Sequence, residues 1–166
     1  MKVYGVTGWK NSGKTGLMER LVAEITGRGL RVSTIKHAHH SIDVDQPGRD
    51  SFRHRAAGAH EVILASPRRW ALMHELRGAD EPPLAALLER LAQVDLVLVE
   101  GYKSGPHPKI ETHRGANPQP LLARKNPTIR AVASDTPMDD LHLPVFDLDD
   151  TVAIADFVLT EAGLTA

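Results

Sequence analysis

The sequence predicts an α/β protein in which a mostly parallel β-sheet is flanked by helices. Apolar segments of strand length alternate along the chain with segments of helical periodicity. The run 94–99 is almost wholly apolar, which is typical of a strand buried on both faces. A β-rich segment at 2–7 leads through a glycine-rich stretch into a helical pattern, as in a right-handed β-α-β unit.

The individual elements follow from apolar spacing and turn residues. Strands are predicted at 2–7, 30–35, 60–65, 69–76, 94–99, 109–112, 129–133 and 143–146, and helices at 14–28, 49–59, 84–92 and 151–162. Gly29 is expected to close the first helix, because glycine adopts the left-handed conformation common there. The Ser66-Pro67 turn predicts an additional hairpin between the third and fourth strands. The stretches 101–108 and 115–120 predict loops.

The composition limits the class of protein. A chain of 166 residues predicts a single domain spanning 1–166. Its 20 basic and 21 acidic residues, net charge of −1 and pI near 6.8 argue against binding nucleic acid through bulk electrostatics. The absence of a long apolar run argues against a membrane span. No cysteine is present, which excludes disulfides and thiolate chemistry. No segment resembles a signal peptide, so a cytoplasmic protein is expected.

A phosphate-binding loop is predicted at the start of the chain. The segment from Gly8 to Thr15 fits the pattern G-x-x-x-x-G-K-[ST], directly between a predicted strand and a predicted helix. Glycines let the backbone curl so that N–H groups point at phosphate oxygens, and the helix N-terminus adds partial positive charge. Lys14 is expected to reach the β- and γ-phosphates, and the hydroxyl of Thr15 to coordinate Mg²⁺. The sequence therefore predicts a P-loop that binds a nucleoside triphosphate with Mg²⁺.

The metal requires a carboxylate near the P-loop. Ligands of a parallel sheet lie beyond the carboxyl ends of its strands, and Glu100 directly follows the run 94–99. Asp95 begins the same strand and is expected at the opposite edge. Glu100 is therefore predicted to hold Mg²⁺ directly or through a water. The alternative is a surface or salt-bridged glutamate.

A second polar cluster follows the predicted strand 30–35. It contains His37, His39 and His40, then Asp43 and Asp45. Such a loop can move toward the γ-phosphate, where Asp45 or Asp43 would order a water or an outer ligand of the metal. The histidines also permit a Zn²⁺ or Ni²⁺ site, although their spacing matches no closed tetrahedral pattern. The third interpretation is that these histidines simply face solvent.

Together these motifs resemble a known family. The segments that carry the resemblance are Gly8 to Thr15, 36–40, 45–51, 55–59, 69–73, 99–103, 108–111 and 131–135. They are similar to the molybdopterin-guanine dinucleotide biosynthesis protein B family, known as MobB, over nearly the whole chain. The resemblance implies a GTP-binding P-loop protein, typically a homodimer, that assists the enzyme attaching GMP to molybdopterin. This partner is the molybdenum cofactor guanylyltransferase, and molybdopterin itself is a possible ligand.

The resemblance also implies site residues. It implies phosphate contacts from Asn11 through Ser12, Gly13 and Lys14 to Thr15, metal-side roles for Asp45 and Glu100, and a nucleotide-adjacent loop around His37. One departure is Gly16, which stands where a second hydroxyl residue often follows the motif. Loss of that hydroxyl would leave only the backbone N–H for the α-phosphate.

The base site is less defined than the phosphate site. Ser134 and Asp135 close a predicted strand, so the carboxylate of Asp135 could accept from guanine N1 and N2. An ordinary turn capped by Asp135 is an equal alternative. The sequence has no Asn-Lys-x-Asp signal, so a preference for guanine rests on the resemblance alone.

Hydrolysis is expected to be slow. Lys14, Asp45 and Glu100 are the candidate catalytic residues, but neither a catalytic glutamine nor a cis arginine is recognisable from spacing. P-loop GTPases without such groups turn over at about 10⁻⁴ to 10⁻³ per second, and Arg49, Arg53 or Arg68 could act across a dimer. A metal-insertion GTPase, a small-molecule kinase and a passive nucleotide-binding module are the rival functions.

Overall fold

The computed structural model describes residues 1–38, 43–117 and 119–164. The strands are β1 (Lys2–Gly8), β2 (Val32–Lys36), β3 (Glu61–Ala65), β4 (Trp70–His74), β5 (Leu96–Glu100), β6 (Lys109–His113), β7 (Ile129–Ser134) and β8 (Val145–Asp147). The helices are α1 (Lys14–Gly27), α2 (Asp50–Ala56), α3 (Leu84–Glu89) and α4 (Thr151–Ala162), with a 3₁₀ helix at Leu122–Arg124. Every predicted strand and helix is present, α4 with the predicted ends and the others with one or both ends shifted, and the 3₁₀ helix is an addition.

The chain forms two compact units. The first comprises Met1–His37 and Leu91–Ala166, and the second comprises Ala38–Arg90. The first unit contains the six strands β1, β2 and β5 to β8 with α1 and α4, whereas the second contains α2, the hairpin β3–β4 and α3. The prediction of one domain over 1–166 stays a prediction.

The first unit is built on a parallel sheet with the strand order β2-β5-β1-β6-β7-β8. All of its neighbouring strands are parallel, which confirms the predicted sheet. Every residue of β5 is buried, as its apolar run predicts. Because the strands run in one direction, their carboxyl ends meet at one edge of the sheet, and the P-loop follows β1 at that edge.

One face of this sheet is covered by α1 and α4. Leu17, Leu21 and Ile25 lie on one side of α1 at helical spacing and pack with Ile154 and Val158 of α4 over the strands. Burying each such side chain contributes about 1.5 to 3 kcal/mol. This packing fixes the helix that follows the P-loop against the strand that precedes it.

The opposite face carries buried polar side chains. Ile110 points into the helix-covered core, so its neighbours Lys109 and Glu111 point to the other side of the sheet. Glu111 accepts hydrogen bonds from the backbone N–H groups of Leu122 and Ala123, at 2.9 and 2.7 Å. Burial raises the pKa of Glu111, and these two hydrogen bonds act in the opposite direction. The 3₁₀ helix is thereby held against β6 by a buried carboxylate.

Lys109 is completely buried beside the loop that joins β5 to β6. Its ammonium donates to the carbonyls of Gly105 and His107, at 2.7 and 2.8 Å, and to the hydroxyl of Thr128 at 2.7 Å. Burial lowers the pKa of Lys109 to about 8. This side chain therefore fastens the 101–108 loop to the sheet from within.

The second unit contains the predicted hairpin. Ile63 of β3 pairs with Leu72 of β4, and Ala65 pairs with Trp70. Side chains alternate between the two faces of the ribbon, so Ile63, Leu72 and Trp70 share one face. Val62, on the other face, is buried, and α2 contacts β3. The hairpin thus has one face that is covered at Val62 and a second face whose apolar side chains are exposed.

Candidate P-loop site

The loop between β1 and α1 has an unusual backbone conformation. Gly8, Asn11 and Gly13 have φ angles of +144°, +61° and +96°. Positive φ is accessible to glycine and, with less penalty than for most residues, to asparagine. A Cβ on Gly13 would also lie 3.1 Å from Leu148 and 3.2 Å from Arg114. Glycine at this position is required by both backbone conformation and space.

Lys14 lies across this loop at the first residue of α1. Its ammonium donates to the carbonyl of Trp9 at 2.6 Å. Burial lowers the pKa of Lys14, the carboxylate of Glu100 raises it, and the charges of Lys103 and Lys36 lower it again. The ammonium is thus surrounded by more positive than negative charge, an environment that favours binding of an anion.

Glu100 meets Thr15 at the β5 side of the loop. The hydroxyl of Thr15 donates to Oε1 of Glu100 at 3.3 Å, and the ammonium of Lys36 lies 3.3 Å from the same oxygen. Glu100 is almost fully buried at the carboxyl end of β5, whereas Asp95 binds the backbone of Arg31 at the opposite end of the strand. Thr15 and Glu100 therefore supply the hydroxyl and carboxylate oxygens that a hard cation such as Mg²⁺ prefers.

The other P-loop side chains anchor the loop. Ser12 is buried, and its hydroxyl bonds that of Thr112 on β6 at 2.7 Å, so its side chain points away from the cavity. Trp9 donates its indole N–H to the carbonyl of Pro120 at 2.8 Å, and Lys103 lies over its ring at 4.2 Å. The backbone N–H of Ser12 donates to the carbonyl of Trp9 at 3.2 Å, so both polar groups of Ser12 hold the loop in shape.

These residues enclose one cavity of about 540 Å³. It is lined by Lys10, Asn11, Ser12, Gly13, Lys14, Thr15, Gly16, Glu100 and Arg114. Basic side chains outnumber acidic ones in this lining, and the one carboxylate already contacts Lys36 and Thr15. The N–H and ammonium donors and the N-terminus of α1 fit a polyphosphate. The side-chain oxygens of Thr15 and Glu100 fit a divalent metal ion bound beside it.

His37 follows β2 next to this site. Its backbone N–H donates to the carbonyl of Glu100 at 2.9 Å, and its ring stacks on that of Tyr102 with the centroids 4.6 Å apart. A Cβ on Gly101 would lie 3.0 Å from the Cβ of His37. The ends of β2 and β5 are therefore in close contact, so a movement of the Glu100 backbone would displace His37.

Ser134 and Asp135 lie at the same edge of the sheet, at the end of β7. Ser134 is buried, and its hydroxyl accepts from the N–H of Thr136 at 3.1 Å. Asp135 is exposed and accepts from the N–H of Gly115 at 2.7 Å. Asp147, which pairs with Ser134 in the sheet, lines the same cavity of about 280 Å³ as Asp135. The hydrogen bond of Asp135 thus joins the end of β7 to the loop after β6 and does not cap its own turn, and its Oδ2 can still accept from a ligand.

Comparison with known proteins identifies the family. The family model described as molybdopterin guanine dinucleotide synthesis protein B, or MobB, matches residues 3–135. The chain belongs to this family. The resemblance to this family that the motifs indicated is confirmed.

Curated relatives and solved structures agree with membership in the MobB family. The chain is 42% identical over 162 residues to a molybdopterin-guanine dinucleotide biosynthesis adapter protein of Haemophilus influenzae, covering 94% of this chain and 86% of the relative. It is 41% identical over 156 residues to the Escherichia coli protein of the same name, covering 91% and 87%. The MobB structure from Bacillus subtilis superposes with a TM-score of 0.79 at 28% identity, covering 98% of both chains. A MobB homologue from Bacillus stearothermophilus gives 0.76 at 31%, covering 99% and 100%.

Asp45 belongs to the second compact unit of this MobB family member. Its Oδ1 accepts from the hydroxyl of Ser51 at 2.9 Å and from the N–H of Gln46, and its Oδ2 binds Arg55 at 3.2 Å. Arg55 also binds Asp43 and Glu75, so it organises a cluster of acids around α2. Asp45 is therefore held by its own unit, and its predicted metal-side and catalytic roles stay predictions.

Two polar residues at the carboxyl ends of the sheet strands were not predicted as site residues from the sequence. Arg114 follows β6 and lines the P-loop cavity, and Asp147 ends β8 beside Asp135. Neither carries a motif, because their positions depend on which strands are neighbours in the sheet. The strand order was the missing information.

The histidine segment is described only in part. His39 and His40, which belong to the alternative interpretation of a Zn²⁺ or Ni²⁺ site, lie outside the described residues. Within 1–38, 43–117 and 119–164, no three His, Asp or Glu side chains form a group that could hold a metal ion. Over the same ranges no helix is long and apolar enough to cross a membrane.

Proposed function

We propose that this protein is a GTP-binding accessory factor in the synthesis of molybdopterin guanine dinucleotide, acting on the guanylyltransferase that attaches GMP to molybdopterin. Membership in the MobB family and the names of the 42% and 41% identical relatives support the accessory role. The observation that carries the nucleotide part is the basic cavity around Lys14, with Thr15 and Glu100 at one side. The cytoplasm is the proposed site of action.

The P-loop binds the triphosphate in this proposal. Backbone N–H groups from Gly13 to Gly16 donate to the phosphate oxygens, and the ammonium of Lys14 neutralises part of their charge. Gly8 leaves room for the loop to turn, since a Cβ there would lie 2.5 Å from the hydroxyl oxygen of Ser12. The cavity and the charge around Lys14 support this arrangement.

Thr15 and Glu100 would hold Mg²⁺ at the β5 side of the cavity. The hydroxyl oxygen of Thr15 lies 3.3 Å from Oε1 of Glu100. When bound, the ion neutralises phosphate charge and polarises the terminal phosphoryl group. Glu100 orients this side, and Lys36 holds the carboxylate in place. Without a recognisable catalytic glutamine, hydrolysis of GTP by the isolated protein is slow.

Replacing Glu100 with glutamine is expected to weaken GTP binding in the presence of Mg²⁺ by about tenfold or more, because the amide is a poor ligand for a hard cation. Calorimetric titration with GTP in Mg²⁺ and again in EDTA measures the effect. The loss should disappear in EDTA. Asp95→Asn, at the other end of the same strand, is the control. An equal loss with and without the metal ion would rule out the metal role of Glu100.

Guanine is proposed to bind at the ends of β7 and β8. Oδ2 of Asp135 can accept a hydrogen bond from the base, and Asp147 offers a second carboxylate in the same cavity. Guanine N1–H and N2–H₂ are donors, whereas adenine presents an acceptor at N1, so a carboxylate here would favour guanine.

The nucleotide state is proposed to be transmitted through His37. The chain leaves the first unit directly after this residue and enters the second at Ala38. The backbone N–H of His37 donates to the carbonyl of Glu100. A movement of Glu100 when Mg²⁺ binds or leaves would therefore change the position of His37, the first residue of the histidine-containing stretch. This switch would change contact with the transferase or its pterin substrate.

The first test is calorimetric titration with GTP and, separately, ATP, each with Mg²⁺ at fixed salt. A preference for GTP of tenfold or more, about 1.4 kcal/mol, supports the proposal. A second assay measures whether the protein with GTP raises formation of molybdopterin guanine dinucleotide by the transferase. Equal binding or an ATP preference would favour a kinase, and binding without any effect on the transferase would favour a passive nucleotide-binding module.

The protein is also proposed to be a homodimer, formed through the exposed face of the hairpin. Ile63 and Trp70 are 65% and 67% exposed, and Leu72 lies between them on the same face. A two-stranded hairpin is only marginally stable alone, and both of its strands are edges. Pairing with the same face of a second copy would bury these apolar side chains.

Replacing Trp70 with lysine is expected to shift the dimer to monomer, because it replaces the largest exposed apolar side chain of this face with a charge. Sedimentation or light scattering measures the molar mass over a range of concentrations. Val152→Lys makes the same kind of change at an exposed position of α4 and should leave the mass unchanged. A wild-type protein that is monomeric at every concentration would contradict the proposed homodimer.

A further inference from the structure

Arg114 lies against the P-loop from the β6 side. It directly follows β6, and its Nε and Nη2 atoms lie 3.2 and 3.6 Å from the position that a Cβ on Gly13 would occupy. The guanidinium therefore packs on the turn of the loop just before α1. It lines the same cavity as Lys14 and Thr15.

The charge of Arg114 has no carboxylate partner among the residues that the structure describes. Within the described part of the chain, its guanidinium forms no ion pair with a carboxylate and no side-chain hydrogen bond. By contrast, Arg124 pairs with Asp140 and Arg130 with Glu161. An arginine in this position keeps its planar set of donors available for an anion in the cavity.

The backbone around Arg114 is fixed at several points. Its carbonyl accepts from the N–H of Asn117 at 2.8 Å, and the side chain of Asn117 donates to the carbonyl of Lys10 in the P-loop at 2.9 Å. The next residue, Gly115, donates to Asp135. The turn that carries Arg114 is therefore attached both to the P-loop and to the end of β7, which limits the entropy lost when the guanidinium binds a ligand.

The strand order places Arg114 and the proposed Mg²⁺ ligand Glu100 on opposite sides of the P-loop. β1 lies between β5 and β6. Glu100 and Lys36 approach the loop from the β5 side, whereas Arg114 approaches from the β6 side, toward β7 and β8. A P-loop lysine and the metal ion serve the β- and γ-phosphates. A cation on the β6 side, such as Arg114, would therefore contact the phosphate groups nearer the nucleoside.

We propose that Arg114 binds the α-phosphate side of the nucleotide in cis and sets affinity for di- and triphosphate alike. This inference rests on the proposed function. Its N–H donors replace the hydrogen bond to the α-phosphate that a hydroxyl residue would supply at position 16, where this chain has Gly16. It is a binding residue, and the hydrolysis step proceeds at the same rate without it once the nucleotide is bound.

The test compares Arg114→Ala, Arg114→Lys and the control Arg130→Ala. Titration with GTP and with GDP, in Mg²⁺ and in EDTA, gives the affinities, and single-turnover hydrolysis at saturating GTP gives the rate. For Arg114→Ala we expect a 10- to 100-fold loss for both nucleotides, because a hydrogen bond to a charged group is removed. The loss should persist in EDTA, unlike that of Glu100→Gln. Arg114→Lys should retain part of the affinity, and Arg130→Ala all of it.

Two results would overturn the inference while leaving the proposed function intact. The first is unchanged affinity for both nucleotides in Arg114→Ala while the wild type binds them. The second is unchanged affinity with a fall in the single-turnover rate, which would make Arg114 a catalytic arginine instead. Absence of nucleotide binding by the wild-type protein would overturn both proposals. Thermal melting of each variant without nucleotide verifies that the exposed substitution leaves the fold unaltered.

Discussion

Alanine at Lys14 is expected to lower the affinity for GTP by about 10- to 100-fold and to abolish GTP-dependent activation of the transferase. The reason is the loss of the ammonium that lies within the loop and is surrounded by Lys36 and Lys103. Hydrogen bonds to charged groups contribute about 1.5 to 3 kcal/mol, and this one is made to a polyanion. Titration with GTP measures the affinity, and formation of the dinucleotide measures the activation.

The control for Lys14→Ala is Lys125→Ala, which removes an exposed ammonium outside the cavity. It should bind GTP as the wild type does. If Lys14→Ala retained both affinity and activation, the cavity would not be a nucleotide site and the proposed function would fail. If affinity fell but activation persisted, the accessory role would be independent of GTP.

Methionine at Lys109 is expected to reduce the free energy of unfolding by about 2 to 4 kcal/mol. Methionine has a similar length, so the packing is retained, but the carbonyls of Gly105 and His107 and the hydroxyl of Thr128 lose their shared donor. Buried polar groups left without a partner cost about 1 to 3 kcal/mol each, partly offset here because burial of a charge is avoided. Urea unfolding at pH 7 measures the change, with Lys125→Met as the exposed control.

The pH dependence of stability provides a second measurement on Lys109. Its pKa of about 8 in the native protein lies below the value of about 10.4 for a lysine in an unfolded chain. Between these values the unfolded chain binds more protons, so the free energy of unfolding attributable to Lys109 rises as the pH increases from 8 toward 10. Lys109→Met should lack this rise. A wild-type curve parallel to that of the variant would show that Lys109 titrates normally.

Much of the P-loop site was predictable because its signals are local. The P-loop pattern, the strand before it and the helix after it are contiguous in sequence, and Glu100 could be assigned because it ends an apolar run. Parallel strands place their carboxyl ends at one edge, which was sufficient to bring Glu100 toward Thr15. The MobB assignment, the parallel sheet and the hairpin are confirmed.

The family, the parallel sheet and the loop at its edge follow from the sequence alone, since they depend on motifs and on the spacing of apolar residues along the chain. The burial of Lys109 and Glu111 on β6, and the position of Arg114 beside the P-loop, emerge only from the folded structure. Charged residues are mostly exposed, so periodicity gives no reason to bury them. Their partners come from loops distant in sequence, and strand order, which no local pattern encodes, brings those loops together.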